Sequence, residues 1–264
     1  MTDGAMQIEV GTGEDARTIA VRHRAAGTRQ RPGLVWLGGY RSDMAGTKAV
    51  ELDRYAGEND LACTRFDYSG HGESGGDFMR GTISRWLEES LAVFDRFTEG
   101  PQILVGSSMG GWIAIRMLQE LRKAGRAERI LGLLLLAPAP DFTSDLHEPL
   151  LTDAQRKDIE EKGFYEEETP YGPDPNIFTR DLFEDGRKNR VMTGIIETGC
   201  PVHILQGMDD PDVPYSHALR LVEHLPADDV VLTLIRDGDH RLSRPQDIDI
   251  LLNTVAQMTR PPTE

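Results

Sequence analysis

The stretch Leu104-Val105-Gly106-Ser107-Ser108-Met109-Gly110-Gly111-Trp112 decides the fold. An apolar run over 102–105 passes into Gly-x-Ser-x-Gly and at once into a helix-like pattern, Trp112-Ile113-Ala114-Ile115-Arg116-Met117-Leu118, with no loop between. Strand, sharp turn and helix in direct succession are the setting in which the central serine of this motif works as a nucleophile. That serine is Ser108; Ser107 is expected only to fill a small buried space. A Cβ at position 106 or 110 is expected to collide with the folded-back backbone, while Ser108 takes a strained conformation that turns its hydroxyl outward.

Working outward, apolar runs at 8–10, 19–23, 33–37, 62–68, 130–136, 200–205 and 230–235 read as further strands. The first two read as edge strands and 33–37 as a central one. Helical spacing occupies 45–59, 82–97, 216–225 and 246–258. Strands alternating with helices predict an α/β fold: one mostly parallel sheet of about eight strands, covered by helices on both faces. The whole chain, 1–264, reads as a single domain.

The interval 141–199 breaks the rhythm. It holds turns around Pro170, Pro173 and Pro175, 15 acidic against 7 basic residues, and six of the chain's 17 aromatics: Phe142, Phe164, Tyr165, Tyr171, Phe178 and Phe183. Aromatics concentrated in an acidic, irregular insertion read as a lid with a solvated outer face and an apolar inner face, or as an insertion with a small core of its own.

A formal net charge of −15 opposes binding to nucleic acid and to anionic membrane surfaces, both of which need clustered Lys and Arg. No stretch approaches the roughly 20 apolar residues a membrane helix requires, so no membrane insertion is expected. The start, Met1-Thr2-Asp3-Gly4-Ala5-Met6, lacks the basic and apolar regions of a signal peptide, which leaves a cytoplasmic location as the expectation. Cys63 and Cys200 read as reduced thiols without a disulfide.

A serine hydroxyl needs a base within hydrogen-bond reach, and that base needs a carboxylate to orient it. After an elbow of this kind the acid and then the histidine follow in the chain. Asp210 fits the acid best: in Gly207-Met208-Asp209-Asp210-Pro211-Asp212-Val213-Pro214 it stands three residues after a strand-ending Gly, whereas Asp209 and Asp212 read as solvated or turn-capping. His240, in Asp237-Gly238-Asp239-His240-Arg241 after the last strand, is the candidate base. Among the other histidines, His203 reads as packed, His217 and His224 as solvated, and His71 as a scaffold residue in a turn near the site, while His23 and His147 carry no readable context. The developing oxyanion needs amide donors, for which the N–H groups of Met109 and Tyr40 stand ready, with Gly38 and Gly39 letting the backbone approach substrate. Neither a metal nor an organic cofactor is called for, and no His/Cys cluster has ligand spacing.

These residues resemble the α/β-hydrolase superfamily over about 33–258. The closer likeness is to its mitochondrial acyl-protein (palmitoyl) thioesterases, which also hydrolyse acyl glucuronides. It rests on Gly39-Tyr40-Arg41-Ser42-Asp43-Met44 with Gly46-Thr47-Lys48-Ala49, on Arg65-Phe66-Asp67-Tyr68-Ser69-Gly70, on 101–112, and on Asp239-His240-Arg241. The resemblance implies an α/β-hydrolase fold with nucleophile Ser108, acid Asp210 and base His240. The start is not Arg- and Ser-rich like a transit peptide, so the chain looks like a bacterial-type cytoplasmic relative.

The expectation is a serine hydrolase that cleaves small-molecule or acyl-chain carboxylic esters or thioesters through an acyl-enzyme on Ser108. The alternatives are the same triad applied to carbon–carbon bond hydrolysis, peptidase action or acyl transfer, and a binding or receptor module without turnover. Halide and epoxide chemistry would want a carboxylate in place of Ser108. Arg41, beside Gly39 and Tyr40, is a candidate to grip a substrate carboxylate such as a glucuronide's, or else to pair with Asp43 on the surface.

Overall fold

The computed structural model describes residues 4–27, 31–170, 172, 174–226 and 229–260. Met1, Thr2 and Asp3 of the start, and Tyr171 and Pro173 of the insertion, lie outside them. In chain order the strands are β1 (Met6–Val10), β2 (Arg17–Arg24), β3 (Gly33–Leu37), β4 (Cys63–Phe66), β5 (Gln102–Ser107), β6 (Ile130–Leu136), β7 (Phe164–Glu167), β8 (Asn176–Thr179), β9 (Val202–Gly207) and β10 (Val230–Ile235). The α-helices are α1 (Thr47–Glu58), α2 (Ile83–Phe97), α3 (Met109–Lys123), α4 (Asp153–Lys162), α5 (Arg180–Lys188), α6 (Tyr215–His224) and α7 (Pro245–Met258).

Eight strands form one sheet in the order β1-β2-β4-β3-β5-β6-β9-β10. The β1·β2 and β2·β4 pairings are antiparallel and the rest are parallel. Against expectation β2 is not an edge strand: it bonds to both β1 and β4, and the edges are β1 and β10. From β3 the chain steps outward to β4 and then returns to the other side of β3 as β5. That reversal opens a crevice at the carboxyl ends of β3 and β5, where open α/β sheets take ligands.

All six residues of β5 are buried, because both faces of the sheet are covered. Successive side chains point to opposite faces. Leu104 joins an apolar cluster with residues of α2, α3 and α6, while Ile103 and Val105 join a second with residues of α1 and α7. Cys63 on β4 and Cys200 ahead of β9 are free thiols. The strands β3, β5 and β6 lie between them, a spacing on the order of 20 Å that no disulfide spans.

The interval 141–199 holds regular structure that its sequence did not announce. A π-helical turn (Thr143–His147) leads to α4, then to the antiparallel β7–β8 hairpin with Tyr165 opposite Phe178, then to α5. Both ends meet at Asp141, a buried residue at φ 55° whose carboxylate accepts the N–H groups of Val191 (2.8 Å) and Met192 (2.9 Å). Burial pushes the Asp141 carboxyl upward, and the two amides oppose that shift. Among the described residues, the insertion's Phe142, Tyr165, Phe178 and Phe183 join the cluster on the α2–α3 face instead of forming a separate core.

Candidate active site

The turn after β5 places Ser108 at φ 54°, ψ −118°, a sparsely populated region for a residue with a Cβ. Its O accepts the N–H groups of Gly111 (2.9 Å) and Ala139 (3.1 Å), and its own N–H donates to Leu136 O (2.8 Å), so neighbouring structure holds the strain. A Cβ on Gly106 would run into the Gly110 carbonyl, as expected. At Gly110 the collision is with the carbonyls of Leu37 and Gly38, so this glycine is what lets the start of α3 seat against the end of β3.

The three residues expected to act together are brought together. Ser108 Oγ lies 3.1 Å from His240 Nε2, and His240 Nδ1 lies 2.9 Å from Asp210 Oδ2. An ionised carboxylate can only accept, so the Nδ1 proton donates to Asp210 and Nε2 is left to accept from the serine. Asp210 is buried, whereas Asp209 and Asp212 are exposed. Its Oδ1 accepts the N–H groups of Asp212 (2.9 Å) and Val213 (2.8 Å). Of the three acids of this turn, Asp210 is the one bonded to His240.

Two supports of this line were not foreseen. Gln206, on β9, donates from Nε2 to Asp210 Oδ2 at 3.1 Å. Lys48, at the start of α1, donates from Nζ to the carbonyl of Arg241, the residue after His240. Desolvation, then the Arg241 charge, push its ammonium down to about 8.

The loop after β3 closes the other side. Position 39 lies close enough that a Cβ there would stand 3.4 Å from that of Ser108. Met109 opens α3, where first-turn N–H groups have no partner inside the helix. His71 underpins the loop, consistent with a scaffold role: it accepts the Arg41 N–H at Nε2 (3.1 Å) and donates from Nδ1 to Ser69 O (3.1 Å). Burial pushes this imidazole down to about 4 and keeps it neutral. The Arg41 guanidinium lies 5.0 Å over the Phe78 ring and donates to the Pro175 carbonyl.

A cavity of about 780 Å³ opens beside Ser108, Met109, Tyr40 and His240. Phe142, Leu146, Leu151, Tyr165, Phe178 and Val213 give it apolar walls, and the exposed carboxylates of Glu167, Glu168, Asp174 and Asp212 also line it. His147 is a lining residue that the sequence left without a role: its ring centroid lies 4.3 Å from that of Phe178, its Nδ1 lies 3.3 Å from the Tyr165 hydroxyl, and burial pushes it down to about 4. His217 is not solvated as expected but buried, bonded through Nε2 to Pro140 O at 2.8 Å. His224, also expected to be solvated, is half-buried and bonded through Nδ1 to Gly194 O at 2.9 Å, and His203 is half-buried. Asp210, Asp212 and His240 bring one possible ligand atom each within 4.8 Å of one another. Both imidazole nitrogens are already engaged, so a metal there would have to displace the serine or the acid.

The chain matches the sequence profile of the Alpha/beta hydrolase family over residues 27–248. It is 32% identical over 225 residues to the mitochondrial palmitoyl-protein thioesterase ABHD10 of Mus musculus, covering 85% of this chain and 74% of that protein. Among solved structures, a putative hydrolase from Agrobacterium vitis S4 superposes with a TM-score of 0.95 at 63% identity, over 97% of this chain and 98% of that one. The alpha/beta hydrolase domain-containing protein 10 from mouse superposes at 0.81 and 31% identity, over 96% and 98%.

Proposed function

Because the chain belongs to the alpha/beta hydrolase family, we propose that it is a serine hydrolase of carboxylic esters or thioesters, with Ser108 as nucleophile, His240 as base and Asp210 as the orienting acid. The observation that carries this reading is the unbroken hydrogen-bonded line from Ser108 Oγ through both nitrogens of His240 to a buried carboxylate. Ser108 Oγ attacks the acyl carbon as its proton passes to Nε2, and Asp210 stabilises the imidazolium through Nδ1–H. The charge that develops on the acyl oxygen is received by the amides of Met109 and Tyr40, the first at a helix N-terminus whose dipole adds to the effect. His240 then protonates the departing alkoxide or thiolate, and the same nitrogen later takes a proton from the water that releases the acyl group. No step requires a metal or organic cofactor.

The apolar walls of the cavity favour an acyl chain or an aromatic acyl group on the acid side of the bond. Similarity to a palmitoyl-protein thioesterase supports thioesters as one substrate class. The insertion 141–199 acts as the lid over this cavity, and Gly39 lets the loop after β3 approach substrate. Arg41 spends only Nη1 on the Pro175 carbonyl, so its other N–H donors are available to grip a substrate carboxylate. In that case Arg41→Ala lowers the ratio of glucuronide to simple-ester turnover, and an unchanged ratio removes the role.

Fluorophosphonate labelling with turnover of a short nitrophenyl ester is the test. The expected result is stoichiometric labelling at Ser108, with labelling and turnover lost in Ser108→Ala. A Ser108→Ala protein that keeps its esterase activity overturns the reading.

A further inference from the structure

Gln206 is the penultimate residue of β9 and is fully buried. Its Nε2 lies 3.1 Å from Asp210 Oδ2, 3.0 Å from Val213 O and 3.0 Å from Gly207 O. All three partners are acceptors, so the orientation of the amide is fixed: the reverse would set Oε1 against a carboxylate and two carbonyls. Two N–H hydrogens therefore serve three acceptors, and the charged one draws the strongest bond. On its other side Oε1 is buried without a hydrogen-bond partner. An apolar side chain would avoid that cost, and a buried orphan of this kind in a native fold calls for an explanation.

We infer that Gln206 is a positioning residue for Asp210. It bonds the same oxygen, Oδ2, that receives His240 Nδ1–H, so it fixes the carboxylate's torsion and draws off part of the charge that holds the imidazolium formed during attack. This rests on the reading of Asp210 as the acid of the triad. The charged groups near the acid include Asp209 and Asp212 on its own turn and Lys48 from α1, and Asp239, Arg241 and Asp247 act on that lysine in turn. Gln206 differs from them in being a neutral donor fixed within the sheet, so its contribution does not titrate.

The test compares Gln206→Met, which removes the donor at similar volume, with Gln206→Glu, which keeps the shape and sets an acid against Asp210. Steady-state kinetics on a nitrophenyl ester are measured against pH, with active sites counted by fluorophosphonate labelling. In Met the acid limb of kcat/KM is expected to move upward by about half a pH unit or more, because the carboxylate without its donor holds the imidazolium more strongly. In Glu the new carboxyl, buried against a carboxylate and two carbonyls, stays protonated and donates to Asp210 in the amide's place, so the limb is expected to stay near its wild-type position. Per labelled site, kcat in Met is expected to fall roughly tenfold with KM within about twofold. If Met fails to fold, the smaller Gln206→Leu decides. A limb at the wild-type position in the folded variant without the donor, with activity lost only in proportion to labelled sites, means that Gln206 merely packs and overturns the inference. Wild-type protein that neither labels nor turns over is a different result: it overturns the serine hydrolase reading, and this inference with it.

Discussion

Tyr40 and Phe178 stack in parallel and offset, with ring centroids 5.3 Å apart and planes 3° from parallel. One residue thereby joins the loop beside Ser108 to the β7–β8 hairpin. Its hydroxyl adds a hydrogen bond to the Ile177 carbonyl, and burial pushes the phenol well above its ordinary range, so it remains a donor. Tyr40→Phe keeps the stack and deletes the bond, which is expected to destabilise the fold by about 1 kcal/mol and lower kcat/KM a few-fold. Tyr40→Ala deletes both, at a cost on the order of 3 kcal/mol with a larger kinetic loss. Thermal melts and ester kinetics on the pair check this, and equal kinetic losses would show that the ring does not hold the loop.

Asp210 should be irreplaceable by its own amide. Asp210→Asn preserves shape but disturbs the tautomer that leaves Nε2 free to accept, and kcat is expected to drop by roughly 10⁴. Asp209→Asn is expected to stay within about threefold, since its side chain is exposed and outside the hydrogen-bonded line. A comparable drop there would move the acid's role off Asp210.

His71 and His147 give the fold an acid sensitivity. Burial lowers both from 6.5 to about 4, so the native state holds them neutral where the unfolded chain binds protons. Their contribution is fully present above pH 6.5, shrinks as pH falls through the window from 6.5 to 4, and levels off below it. Each can remove up to about 3 kcal/mol across that window. Melting temperature should therefore fall steeply between pH 6.5 and 4, and His147→Phe should flatten the slope. An unchanged slope in that variant would count against the buried neutral imidazole.

Charge in the leaving group should matter. Four exposed carboxylates line the cavity, and Glu167 is pushed upward mainly by partial desolvation, with a smaller push from the Asp212 charge. For thioesters sharing one acyl group, a carboxylate-bearing thiol is expected to leave several-fold more slowly, in kcat/KM, than an ammonium-bearing one, with the gap closing at about 0.5 M salt. Competition between the two substrates at low and high salt measures it. A salt-independent ratio would remove the electrostatic cause.

What could be read from the sequence follows from how local each signal is. The strands over 130–136 and 230–235 fall where their apolar runs lie, and Ser108, Asp210 and His240 each stand just after a strand in the expected order. In contrast, α4 buries none of its residues, so it carries no apolar periodicity to read. The β7–β8 hairpin has strands of four residues, too short for a pattern. His217 looks solvated on a helical pattern because its partner, Pro140 O, is 77 residues away in sequence. Gln206 and Lys48 likewise owe their roles to neighbours that only the folded chain supplies.

Asp141 fastens both ends of the insertion with one carboxylate. A clamp at the base leaves the outer side of the insertion, such as α4, free to vary without shifting the register of β6 against β9. Its inner side is not free in that way: Phe142, Phe178 and Phe183 pack on the main core, and the Tyr40 stack ties the hairpin to the loop beside Ser108, so those two parts can only change together.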